Sequence, residues 1–361
     1  MKNAKNVLNY VYGSGAIHNL ASILQNRLNS RTGRVVYFVD EFFQSGSLVT
    51  SLPCSQSGEK EIVFVSTTRE PTTDLVDQLC TGLMTGNASL PEVVVGIGGG
   101  SVLDVTKAVA NLLTNGGQAH EYQGWDLVRV PAVYKIGIPT LSGTGAEASR
   151  TCVLTNPHTG VKLGMNSDHS VFDQLLLDPD LTATVPRNQY FFSGMDTYLH
   201  CIESLAGRHR HAVADAFSAQ ALALIDRVFN SGDMMQAENR GNLMVASYLG
   251  GCAIANSLVG VLHPFSAGLS VVLGMHHGVA NCVAMQAMTP FYPEEVQVFQ
   301  AMAARQGMII PGGFGHTLTD TQHDQLYQST VVHEKPLANA LGDDFRTILT
   351  RERVRTLFAS L

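Results

Sequence analysis

Short apolar runs alternate with amphipathic segments along the first half of this 361-residue chain. The runs are rich in Val, Ile and Leu, are bounded by Gly, Pro or Asp, and cover residues 34–40, 61–66, 92–100, 135–140 and 174–181. Continuous apolar runs of this length are typical of parallel strands that are covered on both faces. Between them, residues 72–84 and 101–114 repeat apolar positions at intervals of three and four, which predicts helices.

The pattern changes after residue 187. A helical period dominates from there, for example over residues 212–229, and few runs suit strands. The chain is also long for a single hydrophobic core. We therefore predict an α/β nucleotide-binding domain with a parallel sheet over residues 1–187, followed by an all-α domain over residues 188–361.

One long stretch carries no Asp, Glu, Lys or Arg: residues 241–293, 53 positions in all. An uncharged run of this length raises the possibility of a membrane span. It contains, however, many polar residues, among them His263, His276, His277 and Asn281. Because hydrocarbon penalises such groups, we reject the membrane and predict buried helices around a polar site.

Composition narrows the class of protein. The net charge of −7 and the absence of a Lys/Arg block argue against nucleic acid, and 45% hydrophobic residues indicate a globular enzyme. Six scattered cysteines without a CxxC pair indicate reduced, mostly buried thiols. The first residues have no apolar core long enough for a signal peptide, so we expect a cytoplasmic protein.

A glycine-rich loop joins the run at 92–100 to the helix predicted after it. Gly96, Gly98, Gly99, Gly100 and Ser101 let backbone approach a pyrophosphate at a helix N-terminus. The alternative is a sharp turn without a ligand.

Other residues at strand ends could line the same cofactor. Asp40 ends the run at 34–40, where it could bind a ribose, although a strand-end Asp also serves as a helix cap. Thr140, Ser142 and Thr144 follow the run at 135–140, although Ser, Thr and Gly also make ordinary turns. Two such loops predict a ligand cleft at the carboxyl ends of the strands.

Candidate metal ligands lie in the second half. Asp196 and His200 are four residues apart in a helical pattern, so they share one face. A hydrogen-bonded helix pair is the alternative. His263 and His277 lie in the uncharged run, and one carboxylate with three imidazoles suits Zn²⁺ or Fe²⁺ with an open coordination position.

Taken together, several motifs resemble the iron-containing (group III) alcohol dehydrogenases, relatives of dehydroquinate synthase. They are YGSG (12–15), VGIGGGSVLDVTK (95–107), PTLSGTGAE (139–147), DPDLTATVP (178–186), GMDTYLHCIES (194–204) and HHGVAN (276–281). The resemblance implies a dehydroquinate synthase-like fold, an alcohol oxidised with NAD, and a possible homodimer. It implies that the metal ligands, and hence the catalytic residues, are Asp196, His200, His263 and His277.

The resemblance also assigns the cofactor site. It places the pyrophosphate at Gly98, Gly99, Gly100 and Ser101, with Asp104 and Lys107 nearby. Thr140, Ser142, Thr144 and Lys162 resemble residues that flank the adenine, ribose and nicotinamide. Asp40 resembles the family's acid at the ribose, which favours NAD over NADP.

The chain departs from the family pattern at one position that concerns proton transfer. Ala267 stands where relatives often carry a histidine, four residues after the third metal ligand. The family's usual proton relay therefore lacks its histidine here, and His276 is either a replacement for it or a structural residue. The region after Thr289 is not clearly similar to the family.

As a whole, the chain resembles family members that oxidise C8 of 3-deoxy-D-manno-octulosonate, an acidic sugar of lipopolysaccharide biosynthesis, to an aldehyde. Arg150, Arg208 and Arg210 are candidate partners for its carboxylate, although each is otherwise an ordinary surface arginine. The alternatives are a polyol dehydrogenase with another substrate, an oxygen-dependent oxidase, a lyase resembling dehydroquinate synthase, and a nucleotide-binding regulatory protein with an inactive metal site.

Overall fold

The computed structural model describes residues 5–28, 33–54 and 60–361. The chain forms two compact units. The first comprises residues up to Leu141 together with Ala146–Ala183, and the second comprises Ser142–Gly145 and Thr184–Leu361. The first unit is α/β and the second is helical, which confirms the predicted fold class.

A six-stranded parallel sheet with the order β1-β9-β6-β4-β2-β3 forms the centre of the first unit. A smaller sheet has the order β5-β8-β7, in which β7 and β8 form an antiparallel hairpin. The strands are β1 (Asn9–Tyr12), β2 (Val35–Asp40), β3 (Glu61–Val65), β4 (Val93–Gly98), β5 (Gly124–Trp125), β6 (Tyr134–Pro139), β7 (Thr151–Asn156), β8 (Val161–Asn166) and β9 (Gln174–Leu177).

Helices cover both faces of the large sheet, as the continuous apolar runs predicted. Successive residues of a strand point to opposite faces. Val36 and Phe38 pack in a cluster with the helix after β4, whereas Tyr37 and Val39 pack in a cluster with the first helix. The helices of this unit are α1 (Leu20–Arg27), α2 (Ser47–Ser51), α3 (Thr73–Leu83) and α4 (Gly100–Asn115).

One predicted strand is shorter than expected. The run at 174–181 forms a strand only over Gln174–Leu177. Asp178 then accepts a hydrogen bond from the backbone N–H of Asp180 at 3.1 Å and begins a 3₁₀ turn, Pro179–Thr182. An Asx turn at this point competes with continued sheet pairing and ends the strand.

The second unit has no strand among its described residues. The helix predicted over 212–229 has those bounds in the structure, and no helix of the described chain is long and apolar enough to cross a membrane. The helices are α5 (Arg187–Ala206), α6 (Ala212–Phe229), α7 (Ala237–Asn256), α8 (Leu262–Leu273), α9 (His277–Met285), α10 (Pro293–Arg305), α11 (Asp320–Val331), α12 (Glu334–Leu341), α13 (Phe345–Ile348) and α14 (Arg351–Ala359).

The short segment Ser142–Gly145 packs with the helices although it follows strand β6. Gly143 has φ +143°, and a Cβ there would lie 1.7 Å from the Ser193 carbonyl oxygen. Its N–H donates to Ser247 Oγ at 2.9 Å. A Cβ on Gly145 would lie 2.6 Å from the Gly251 Cα. Only glycine permits this close approach of backbone to α5 and α7. The predicted division at residue 187 thus differs from the compact units by this segment and by residues 184–187.

Candidate metal centre and dinucleotide loop

Helix α5 provides the first two residues of the candidate metal centre. Asp196 and His200 lie one turn apart and are 1% and 3% exposed. Asp196 Oδ1 lies 3.4 Å from His200 Nε2. The pair therefore faces the protein interior, where an uncompensated carboxylate is costly.

Two other helices bring their histidines to the same carboxylate. His263 is the second residue of α8, and its Nε2 lies 3.1 Å from Asp196 Oδ1. His277 is the first residue of α9, and its Nε2 lies 3.3 Å from Asp196 Oδ2. The imidazoles of His200 and His263 stack with centroids 4.7 Å apart. The four residues singled out in the sequence therefore meet at one place.

The donor set fits a divalent transition metal. Ligand atoms of Asp196, His263 and His277 all lie within 4.8 Å of one another, and His200 Nε2 adjoins the same carboxylate. Asp196 Oδ2 is buried without a hydrogen-bond donor among the described residues. One carboxylate and three imidazoles suit Fe²⁺ and Zn²⁺ alike.

Burial and the neighbouring charges shift the pKa values of the clustered residues. Burial, the largest influence, favours a raised pKa for Asp196, but His200 and His277 outweigh it and hold the pKa well below its usual range. Burial lowers the pKa of His200 to about 4. Burial also opposes the charged form of His263, yet Glu203 and Asp196 raise its pKa to about 10. A metal must displace that proton in order to bind.

Two residues that the sequence analysis did not assign to the metal site support the centre. Asn281 is fully buried on α9 and donates from Nδ2 to Asp196 Oδ1 at 2.7 Å. Glu203 is fully buried on α5 and its Oε2 contacts His263 Nδ1. The spacing of Glu203 was a usable indication, because positions 196, 200 and 203 share one helical face.

The two residues that concern proton transfer differ in their exposure. Ala267 is buried on α8. His276, considered either as a replacement or as a structural residue, is exposed and lies directly before α9.

The glycine loop forms a turn from β4 into α4, and its glycines have different roles. A Cβ on Gly96 would lie 2.5 Å from Thr106 Oγ1, and one on Gly98 would lie 2.6 Å from Val102 Cβ. These two glycines allow strand and helix to pack closely. A Cβ on Gly99 would make only ordinary contacts at 3.5 Å with Leu141.

The start of α4 suits an anion. Its N-cap, Gly99, provides no side-chain cap, and its first turn contains no acidic residue. The first backbone N–H groups of a helix have no partners within the helix, and they carry its positive dipole end. Gly100 and Ser101 open this turn, so the structure places the predicted phosphate-binding residues where an anion would be stabilised.

The charged residues assigned to the cofactor already have protein partners. Asp104 pairs with Lys107 at 3.0 Å and accepts from the Val153 N–H at 2.9 Å. Burial, as the largest cause, raises the pKa of Asp104. Lys162 is 5% exposed and pairs with Glu70 at 3.1 Å. These ion pairs alone are sufficient reason for buried charged residues at positions 104 and 162. The cofactor role of Asp104 and Lys162 therefore remains a prediction.

Asp40 and the hydroxyl residues occupy the ends of strands, as predicted. Asp40 accepts from the Phe42 N–H at 3.1 Å, so the helix-cap alternative is observed, and burial raises its pKa. The Thr140 N–H donates to the Gly98 carbonyl at 3.0 Å. Ser142 Oγ is buried without a hydrogen-bond partner in the described chain, and Thr144 is half-buried.

Each arginine considered for a substrate carboxylate has an acidic partner. Arg150 contacts Asp168 at 2.9 Å and also Asp126. The other two pairs are Arg208 with Asp343 at 3.4 Å and Arg210 with Asp215 at 2.9 Å.

Comparison with known proteins places these features in a family. Residues 8–179 match the model of iron-containing alcohol dehydrogenases, and residues 191–326 match the model of the C-terminal region of Fe-containing alcohol dehydrogenases.

Individual relatives show how far the likeness extends. The chain is 35% identical to sulfoacetaldehyde reductase of Bilophila wadsworthia, covering 58% of this chain and 54% of that protein. It is 32% identical to NAD-dependent methanol dehydrogenase of Bacillus methanolicus, covering 55% of this chain and 53% of that protein. The matched region spans about half the length of these relatives.

The fold agrees over nearly the whole chain with a solved structure. Sulfoacetaldehyde reductase from Bifidobacterium kashiwanohense, in complex with NAD⁺, superposes with a TM-score of 0.81 at 21% identity, covering 99% of this chain and 98% of that one. The chain belongs to the iron-containing alcohol dehydrogenase family.

Proposed function

We propose that this protein is a metal-dependent alcohol dehydrogenase that transfers hydride between a primary alcohol and NAD. The observation that carries the proposal is the convergence of Asp196 with His200, His263 and His277 inside the helical unit. The name of the methanol dehydrogenase relative supports both the primary alcohol and the cofactor.

The chain's own residues would divide the work between binding the metal and binding the cofactor. Asp196 and the three histidines would hold Fe²⁺ or Zn²⁺, which supplies Lewis acidity toward a hydroxyl group when bound. Gly99, Gly100 and Ser101 would present backbone N–H groups to the cofactor pyrophosphate. Asp40 would accept from a ribose hydroxyl and disfavour a 2′-phosphate through its negative charge.

The substrate that we propose to test first is 3-deoxy-D-manno-octulosonate, oxidised at C8 to an aldehyde in lipopolysaccharide sugar biosynthesis. The resemblance of the whole chain to enzymes with that substrate supports it. If Arg208 or Arg210 binds the carboxylate, it must exchange its present acidic partner.

A direct absorbance assay with a panel of substrates tests this function. Protein loaded with Fe²⁺ or Zn²⁺ is mixed with NAD or NADP and a panel of primary alcohols, polyols and 3-deoxy-D-manno-octulosonate, and absorbance is followed at a wavelength specific for NADH. We expect NADH to form with NAD and the acidic sugar. NADH with another alcohol only would refute the substrate but keep the activity.

The remaining outcomes distinguish other chemistry. Hydrogen peroxide without NADH would identify oxygen as the acceptor. Substrate loss with neither NADH nor peroxide would identify lyase chemistry of the dehydroquinate synthase kind. A His277→Ala variant serves as the control, because it removes one imidazole from the cluster and should abolish both metal binding and turnover while the protein stays folded.

A further inference from the structure

Glu203 is an acidic residue inside the helical unit that the proposed chemistry does not use. It lies on α5, three residues after His200 and seven after Asp196, and its side chain is fully buried. The only ion-pair partner of Glu203 among the described residues is His263. A buried carboxylate without a Lys or Arg partner requires compensation from another source.

The contacts of Glu203 orient one imidazole. Its Oε2 contacts His263 Nδ1, and its Oε1 accepts from the Leu262 N–H at 2.5 Å. A Cβ on Gly260 would lie 3.1 Å from Oε1, so that glycine leaves room for the carboxylate. Because His263 donates from Nδ1 to this carboxylate, its Nε2 is directed to the opposite side of the ring, where it faces Asp196.

We propose that Glu203 is a positioning residue for the metal, acting through His263; this inference rests on the proposed metal-dependent function. It fixes the tautomer of His263 with the proton on Nδ1, so that Nε2 has a lone pair for the metal. It also supplies the second negative charge of the centre, because the carboxylates of Asp196 and Glu203 together offset one divalent cation. Carboxylate–histidine–metal arrangements of this kind strengthen the imidazole as a ligand.

The same contacts allow a simpler role, in which Glu203 only caps helix α8 through the Leu262 N–H. The two roles differ in what removal of the charge does with and without metal. A cap stabilises both forms of the protein equally. A positioning residue stabilises the metal-bound form more, because its charge is balanced there by the cation.

The test compares Glu203→Gln with Ser204→Ala. Ser204 is the next residue of α5, is equally buried and bonds Ser257 Oγ at 2.7 Å, away from the cluster. Affinity for Zn²⁺ is measured by competition with a chelator, and Tm is measured with and without Zn²⁺. For Glu203→Gln we expect roughly 10- to 100-fold weaker binding and a smaller rise in Tm on adding Zn²⁺. Ser204→Ala should bind Zn²⁺ as the wild type does.

The outcomes separate this inference from the proposed function. If Glu203→Gln binds Zn²⁺ as tightly as wild type, or loses equal Tm in both forms, the positioning role is wrong while the enzyme assignment stands. If wild type binds no divalent metal, the proposed function itself fails. Should the Gln variant not fold, Glu203→Asp replaces it, since its side chain is one methylene shorter and withdraws the carboxylate from His263 Nδ1. Wild-type Zn²⁺ affinity in that variant would equally overturn the inference.

Discussion

The predicted site residues of the two units differ in what already surrounds them. In the α/β unit, Asp104 and Lys162 have partners, Lys107 and Glu70, that account for their charge without a ligand. In the helical unit, Asp196 is surrounded by imidazoles, and one of its oxygens has no hydrogen-bond donor in the described chain. Charged residues within the cofactor motif can therefore be structural. The buried cluster around Asp196 has no such structural explanation and is explained best by a bound metal.

The largest expected effect follows from removing the charge at the centre of the cluster. Asp196→Asn leaves the imidazoles without their carboxylate, and breaking a buried charged group of this kind costs about 3–5 kcal/mol. The same free energy lost from metal binding corresponds to a roughly 10²- to 10⁴-fold fall in metal affinity, measured by metal content after dialysis against a chelator. Asp215→Asn, which removes a carboxylate from the pair with Arg210, should leave metal content unchanged. Full retention of metal by Asp196→Asn would contradict the cluster as a metal site.

A large effect on stability is expected from the buried pair of the α/β unit. Lys107 has no exposed surface and donates to the Ala146 carbonyl at 2.9 Å. Lys107→Met leaves Asp104 buried without its counter-ion, so the free energy of unfolding should fall by about 3–5 kcal/mol, measured by urea denaturation. The exposed pair of Arg346 and Glu334 is the control, and Arg346→Met should cost about 1 kcal/mol or less.

The variant Asp104→Asn distinguishes a purely structural role of Asp104 from a role in cofactor binding. If Asp104 serves only to join α4 to β7 through its hydrogen bond from the Val153 N–H, the variant loses stability but binds NAD normally when folded. Weaker NAD binding at unchanged stability would instead support the cofactor role that the family resemblance implies.

An intermediate effect distinguishes two neighbouring glycines. Gly98→Ala places a methyl group 2.6 Å from Val102 and should lower stability by about 1–3 kcal/mol. Gly99 has φ −77°, and a Cβ added there makes only ordinary contacts. The stability of the Gly99→Ala variant should therefore stay near that of the wild type. Its methyl group would crowd the start of α4, and NAD affinity measured by titration calorimetry should fall. Equal NAD affinity of Gly99→Ala and wild type would argue against this loop as the pyrophosphate site.

The smallest effect concerns cofactor preference. Asp40→Asn keeps an oxygen for the Phe42 N–H but removes the negative charge, so the ratio of NADP to NAD affinity should rise by a few-fold to about tenfold. Glu41→Gln, one residue further along, is the control. If both variants change the ratio equally, Asp40 has no specific place at the ribose.

The sequence predicted the strands that form continuous apolar runs and the helices with a clear apolar period, such as α6. Residues 35–39 of β2 and Val93–Gly98 of β4 consist of hydrophobic residues and glycine and are buried at each position, because both faces of the sheet are covered. The hairpin of β7 and β8 was not predicted, because neither strand is a continuous apolar run: polar residues interrupt both, and Asn156, Lys162 and Asn166 are among the buried positions. Strand β1 was missed because it is largely exposed.

The site was predictable only where spacing within one helix determines proximity. Asp196 and His200 follow from the helical period, because residues four apart share a face. His263 and His277 are on other helices, so their convergence depends on tertiary packing that no local pattern specifies. Glu203 was within reach of the helical period, but a single buried acid in a helix has no distinctive sequence pattern.

The segment Ser142–Gly145 has a consequence for how this protein is made. The hydroxyl of Ser247 accepts a hydrogen bond from the Gly143 N–H, and Ser247 lies 104 residues later in the chain. The segment therefore leaves the ribosome well before its partner. During translation Ser142–Gly145 therefore cannot form its native contacts until α5 and α7 have been synthesised. A fragment that begins at Thr184 would contain every helix of the second unit but lack the piece that fits against Ser193, Ser247 and Gly251. We therefore expect the helical half, expressed separately, to be less stable than the same half with the tetrapeptide supplied.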